Sequence, residues 1–345
     1  MAKLVTNIPN YGFPHQYDSV RFSASSPCRV TLSCDAGEAV FSLRPNSSME
    51  IRLDDLAGLL RDFTSDGQAR MFQLTWDEGP YTFKVLPCRL TLSQSATAFC
   101  ARHFLTLWEG AKPTYMGAKE TVCVYNSGSQ TDQFSVRLFW ANPDTGESRE
   151  TNTDDSEFDE GATMDALGYI HFDVSPSRFY PPAAGFILCS YEVSCGLRSQ
   201  WFEVRSFRDA EPLTLLFRNC FGMLESFHFF GAVSRELKPT RSAASFRGQT
   251  RNYRVDSVPE FTARTGVLRP EAFAAFEDLC SSTYVLLPSE SNAELCLTDC
   301  DLKLSSDRYA PQQGTLTWRY ARQARHYEVR NDAHTFDATF DSTFK

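Results

Sequence analysis

Leu213-Thr214-Leu215-Leu216-Phe217, Arg218-Asn219-Cys220-Phe221-Gly222 and Glu225-Ser226-Phe227-His228-Phe229-Phe230-Gly231 decide how this chain reads. Two apolar runs of five to seven residues flank a glycine, which predicts strand, turn and strand, because each run is too short for a helix. Asn219 and Gly222 suit a tight turn with positive φ. Phe217, Phe221, Phe227 and Phe229 are expected to be buried. Downstream, residues 235–269 are polar and punctuated by arginine. A helix is expected over residues 270–280, with Pro270 in its first turn, Glu271 near its N-terminus and Phe273, Phe276 and Leu279 near one face. Strands are expected around Thr283-Tyr284-Val285-Leu286-Leu287 and Leu295-Cys296-Leu297.

Working towards the N-terminus, the pattern is period two almost throughout. Val30, Leu32 and Cys34 alternate with Arg29, Thr31 and Ser33, and Asp35-Ala36-Gly37 turns the chain into a hairpin. Phe72, Leu74 and Trp76 form another face, as do Tyr81, Phe83 and Val85. Asp54 and Asp55 are positioned to cap a short helix carrying Leu56, Leu59, Leu60 and Phe63. Phe104 to Gly110 reads as a strand, and Ala111, Lys112, Pro113 and Thr114 as a linker broken by proline. Beyond it, Phe134, Val136, Leu138 and Trp140, then Ile170, Phe172 and Val174, give about a hundred residues with the strand count of an immunoglobulin-like sandwich.

The expected fold class is therefore mainly β: tandem antiparallel β-sandwich (immunoglobulin-like) modules followed by a β-rich α+β closing module. The expected boundaries are 1–100 for a β module with one short helix, 101–207 for the immunoglobulin-like sandwich, 208–330 for the closing module and 331–345 for a tail. In that tail Phe336, Phe340 and Phe344 are interspersed with polar residues.

Composition narrows the function. A net charge of −9 over 345 residues argues against a general nucleic-acid binder, which needs a basic face. Residues 235–269 run against that balance: Arg235, Lys238, Arg241, Arg247, Arg251, Arg254, Arg264 and Arg269 stand against Glu236, Asp256 and Glu260, an excess that fits an acidic partner surface or a solvated face. The first ten residues carry no apolar core and cleavage pattern, so no signal peptide is expected, and no apolar run approaches the ~20 residues of a membrane span. The eleven cysteines contain no Cys-x-x-Cys pair, so zinc is not expected and free, mostly buried thiols are. The acidic run Asp154, Asp155, Glu157, Asp159 and Glu160 offers hard oxygen ligands but lacks the ordered spacing of a calcium loop, and reads as a solvated hairpin loop. Gly-x-Ser-x-Gly, His-Glu-x-x-His and phosphate-loop patterns are missing. No catalytic, cofactor or metal residues are assigned, and a Cys-His or carboxylate hydrolase would require such groups to converge in one pocket.

The ordered pieces of the C-terminal third resemble tail-type virion proteins from phages and prophages of Bacteroides-like bacteria. They are residues 216–227 of the opening stretch, Tyr253-Arg254-Val255, Thr265-Gly266-Val267-Leu268, Leu279-Cys280-Ser281-Ser282, Leu297-Thr298-Asp299-Cys300-Asp301-Leu302-Lys303 and Trp318-Arg319-Tyr320. The resemblance implies a non-enzymatic structural protein of the tail, made in the bacterial cytoplasm and located in the virion. It implies a homo-oligomer with other virion proteins as partners. Arg218, Asn219, Phe221, Gly222 and Phe227 are the candidate assembly residues. The alternative is a carbohydrate- or receptor-binding adhesin for a host surface glycan or receptor, with Trp140, Phe179, Tyr180 and Trp201 as an aromatic platform. Buried strand tryptophans in a sandwich core are the plainer reading of Trp140 and Trp201.

Overall fold

The computed structural model describes residues 2–126, 133–153, 162–164, 168–207, 211–246, 248–303 and 312–322. The acidic run at 154–160 and the tail at 331–345 lie outside the described residues.

The chain opens with β1 (Lys3–Leu4), β2 (Tyr11–Gly12), β3 (Val20–Ser23), β4 (Cys28–Cys34), β5 (Gly37–Leu43), β6 (Glu50–Leu53), α1 (Leu56–Phe63), β7 (Arg70–Trp76) and β8 (Gly79–Val85). Two sheets form, ordered β1-β3-β6 and β2-β8-β7-β4-β5. The alternation of β4 is that of its sequence: Cys28, Val30 and Leu32 are buried and Arg29 is exposed. They pack with Phe22, Ile51, Phe72 and Phe83. Cys34 pairs with Gly37, so Asp35 and Ala36 make a two-residue hairpin turn. Helix α1 starts where the aspartates predict, but not by their capping. Asp55 sits at the N-cap with φ 62° and no side-chain cap bond, and the Asp54 carboxylate accepts instead from Ser19 Oγ at 2.6 Å.

A helix that the apolar pattern did not reveal follows, α2 (Ala96–Arg102), with Ser95 Oγ accepting from Ala98 N at 3.2 Å as its cap. Residues 104–110, expected as a strand, are irregular, and the expected linker is strand β9 (Ala111–Thr114). It runs parallel to β16 (Arg198–Val204) at the edge of its sheet, where Pro113 is tolerated because one side needs no amide donor.

The second sandwich continues with β10 (Thr121–Tyr125), β11 (Phe134–Ala141), β12 (Ser148–Thr153), β13 (Ala162–Met164), β14 (Tyr169–Asp173), β15 (Ile187–Cys195) and β16 (Arg198–Val204). Sheets β10-β14-β13 and β12-β11-β15-β16-β9 face one another. This is the immunoglobulin-like arrangement of a three-stranded sheet against a longer one with an extra edge strand. Its core holds Val122, Val136, Trp140, Phe172, Tyr191 and Phe202.

The closing part is one seven-stranded antiparallel sheet, ordered β18-β17-β21-β22-β23-β20-β19. Its strands are β17 (Leu213–Arg218), β18 (Leu224–Phe229), β19 (Val233–Phe246), β20 (Gln249–Arg264), β21 (Val285–Leu287), β22 (Ala293–Lys303) and β23 (Gln313–Tyr320), with α3 (Phe273–Cys280) before β21. One face packs on α3 through Phe217, Phe227, Leu295, Trp318, Phe276 and Leu279. The arginine-punctuated stretch is mostly a single long hairpin, β19 with β20. Phe261–Arg264 of β20 pair with β23, and, among the described residues, 249–260 pair with β19 alone. At ~3.3 Å per residue that ribbon projects about 40 Å.

Candidate functional site

The turn between β17 and β18 is the point where all three parts of the chain meet. Asn219 is buried and fully used. Its Nδ2 donates to Leu105 O and to Glu225 Oε2, both at 2.8 Å, while its Oδ1 accepts from Phe221 N at 3.1 Å and Met223 N at 3.0 Å. That locks a loop which Gly222 closes at φ +84°. Gly222 meets Gly67 of the first sandwich so closely that an added Cβ would lie 2.2 Å from Gly67 O. The Phe221 ring lies 4.9 Å from Phe99 and 5.8 Å from Phe13. These rings, with Leu86, Tyr125 and Met223, form a fourth core shared by all three parts. Arg89 and Asp278 stitch its rim: Arg89 Nη2 donates to Asp278 Oδ1 at 2.6 Å, and Cys220 N donates to Asp278 Oδ2 at 2.8 Å. Burial pushes the Asp278 carboxyl up, against the pull of those donors.

The candidate assembly residues lie at or beside this junction. Asn219, Phe221 and Phe227 are 2%, 1% and 1% exposed, and Phe227 packs on Trp108 and Phe276. Arg218 lies over the Tyr284 ring at 4.7 Å. They make contacts between this chain's own modules. The physical reason is that β18 is covered on both faces: Glu225 through Phe229 are all buried. An aromatic hairpin with two covered faces and one with a face left for a partner share the same sequence pattern.

The polar side of β18 carries a buried ionic network. Lys112 Nζ lies 3.0 Å from Glu120 Oε2 and donates to Ser226 Oγ at 3.0 Å. Ser226 donates to Glu120 Oε2 at 2.7 Å, and His228 Nε2 meets Glu120 Oε1 at 2.6 Å. The other His228 nitrogen bonds Thr214 Oγ1 at 2.8 Å, which bonds Tyr115 OH at 3.2 Å. Glu225 accepts from Thr106 Oγ1 at 2.6 Å and lies 3.8 Å from Lys112. Burial opposes the charge of Glu120, but Lys112, His228 and Ser226 outweigh it and hold its pKa down at about 2. Glu225 goes the other way: burial dominates and raises it, with Lys112, Thr106 and Asn219 offsetting part. Sequence reasoning missed Lys112, Glu120 and Glu225. The one local signal was a charge inside an aromatic run, Glu225 before Phe227.

Beside this network lies a cavity of about 20 Å³, bordered by Cys123, His171, Met223, Glu225 and Lys112. Cys123 Sγ and His171 Nε2 are 4.0 Å apart because the two residues are register partners on β10 and β14. The space holds about one water, so a substrate does not reach the thiol in this conformation. Among the described residues no group of three or more His, Cys, Asp or Glu is arranged to hold a metal.

The aromatic platform does not assemble. Trp140 and Phe179 are 3% and 5% exposed in the sandwich core, and Trp140 Nε1 donates to Thr151 Oγ1 at 2.8 Å. Tyr180, next to Phe179, is 85% exposed. Trp201 faces outward on β16, stacked 5.3 Å from Phe139 with the Arg137 guanidinium over both rings. Strand alternation separates the four: Trp140 points inward while Trp201, on the same sheet, points out.

The long hairpin carries exposed apolar and charged residues side by side. Val233 and Leu237 are 48% and 56% exposed, Arg235, Glu236 and Arg241 are exposed, and β19 ends the sheet. At the hairpin's base Arg235 lies over Phe261 at 5.7 Å and Thr298 Oγ1 donates to Glu260 Oε1 at 3.1 Å. A register shift between Ser242 and Ala243 bends the ribbon near its tip.

No helix among the described residues is long and apolar enough to cross a membrane. No family model matches the sequence, and no curated protein does. Among solved structures, the plexin A4 full extracellular region aligns over 94% of this chain and 40% of that chain, at 10% identity and a TM-score of 0.18. The chain therefore spans two fifths of that neighbour's length, and a likeness at that score carries no argument about either fold or function.

Proposed function

We propose that this chain is a non-enzymatic structural protein that assembles with further copies of itself and with neighbouring proteins through the β19–β20 hairpin. The observation that carries this is a ribbon of 14 and 16 residues anchored to the sheet by four residues of β20. An isolated two-stranded hairpin is marginal in water, and an exposed edge strand is a template for pairing, so such a ribbon gains most when a partner covers it. Charge points to a second copy as one partner. Residues 233–264 hold seven Arg and Lys against three carboxylates, a balance of +4 in a chain of −9, leaving −13 on the rest. Within this class we favour a phage or prophage tail protein, on the ordered motifs of the C-terminal third. Closed symmetric rings are the usual outcome when one surface meets a different surface on the next copy.

The test is light scattering over a concentration series, for the full chain and for a variant in which residues 237–259 are replaced by Asn-Gly. Glu236 and Glu260 are register partners, so a two-residue turn closes there. The expected result is a discrete oligomer for the full chain that weakens with salt, and a folded monomer for the variant. A monomeric full chain at every concentration, or an oligomer unchanged by the shortening, overturns the proposal.

A further inference from the structure

All eleven cysteines are free thiols, and two pairs of them pack within one cluster each. Cys88 and Cys220 lie in the shared core, where Arg89 N donates to Cys220 O at 3.0 Å. Both are sealed, at 2% and 1% exposure. Cys280 and Cys300 both pack against the core of the closing sheet. Cys280 is the last residue of α3, Cys300 lies on β22, and Cys300 Sγ is also 3.9 Å from Cys280 O. Both are half-buried, so a small reagent reaches them.

We propose that Cys280 and Cys300 form a dithiol modification site that a small-molecule disulfide of the glutathione class converts to a disulfide clamping α3 to β22. The Cys300 thiolate attacks one sulfur of the oxidant, the oxidant's S–S bond breaks, and one glutathione thiolate leaves. Cys280, losing its proton, then attacks the Cys300 sulfur and expels the second glutathione thiolate. The protein gives up two electrons and two protons, and the oxidant takes both as two glutathione thiols. The order follows from the mutual influence of the two thiols, which lowers the Cys300 pKa against burial and raises that of Cys280. An attacking thiol must be the more ionised of the two.

Cys88 and Cys220 provide an internal control, because they too share a core but have no access to solvent. Exposed Cys296, four residues before Cys300, provides a second, as a solvent-facing thiol on the same strand. The full chain is incubated with oxidised glutathione, quenched with iodoacetamide and mapped without reduction. A Cys280–Cys300 cross-linked peptide is expected, together with the loss of two alkylatable thiols, well before any Cys88–Cys220 peptide appears. In Cys280→Ser the reaction is expected to stall as a glutathione adduct on Cys300. Should that variant not fold, the wild-type melting temperature is read with and without reductant, and a rise on oxidation is expected. Glutathione on Cys296 with no Cys280–Cys300 link, or Cys88–Cys220 closing first, overturns the proposal.

Discussion

The junction around Asn219 and the β19–β20 hairpin hold opposite answers to the same problem, what to do with charge and open backbone. At the junction Lys112, Glu120, His228 and Glu225 are out of water and every one has a partner inside the chain. On the hairpin Arg235, Glu236 and Arg241 remain in water, and β19 is the last strand of its sheet among the described residues. The contrast separates the region that joins the chain to itself from the one on which the proposed assembly rests. Aromatic density marks where the chain joins itself, and sparse apolar residues among arginines mark where it is left to meet something else.

The contrast breaks most sharply at Lys112. Lys112→Met leaves two carboxylates buried without their cation, and a loss of about 3–5 kcal/mol is expected in urea unfolding at neutral pH. If the loss is under ~1 kcal/mol, the network is hydrated and the junction is not the closed region described here.

A pH titration probes the same network from the acid side. Glu120 has a folded pKa of about 2 against 4.5 when free. Its contribution is whole above 4.5 and is lost as pH falls through 4.5 towards about 2, on the order of 3 kcal/mol in all. Glu225 is raised, so its proton is held more tightly in the folded state and its contribution falls as pH rises above 4.5. Below 4.5 it is protonated in both states, so of the two network glutamates Glu120 shapes the acid limb, to which Glu192, lowered against burial by Ser199 and Arg137, adds. Glu120→Gln is therefore expected to flatten that limb. A limb of unchanged steepness would remove Glu120 from the account.

Gly222→Ala tests the contact without charge. Positive φ and the Gly67 carbonyl act together, and about 2–3 kcal/mol is expected from thermal melts. On the hairpin, Arg241→Glu is expected to stay within ~0.5 kcal/mol of wild type while weakening the oligomer. A stability loss comparable to Gly222→Ala would mean the hairpin is part of the fold's core.

The sequence made these regions legible to different depths. Period-two alternation placed β4, β7 and β11, and the Pro270 signal placed the helix ending at Cys280. Helix α2 escaped because seven residues give no usable period, and β9 escaped because a proline in an edge strand looks like a linker. The network escaped for a deeper reason. Lys112 and Ser226 are 114 residues apart and Glu120 and His228 are 108 apart, so no local pattern couples them. The hairpin's length was hidden by its polarity, since a ribbon solvated on both faces has no apolar alternation to read.

The shared core has a consequence for synthesis. Phe13 and Phe99 wait for Phe221, which leaves the ribosome about 120 residues after Phe99. At ~5–20 residues per second that is roughly 6–24 s in which the first sandwich stands complete except for an uncovered aromatic patch. The chain's greatest exposure to mispairing therefore falls midway through translation, and slowing elongation between residues 100 and 220 is expected to lengthen it.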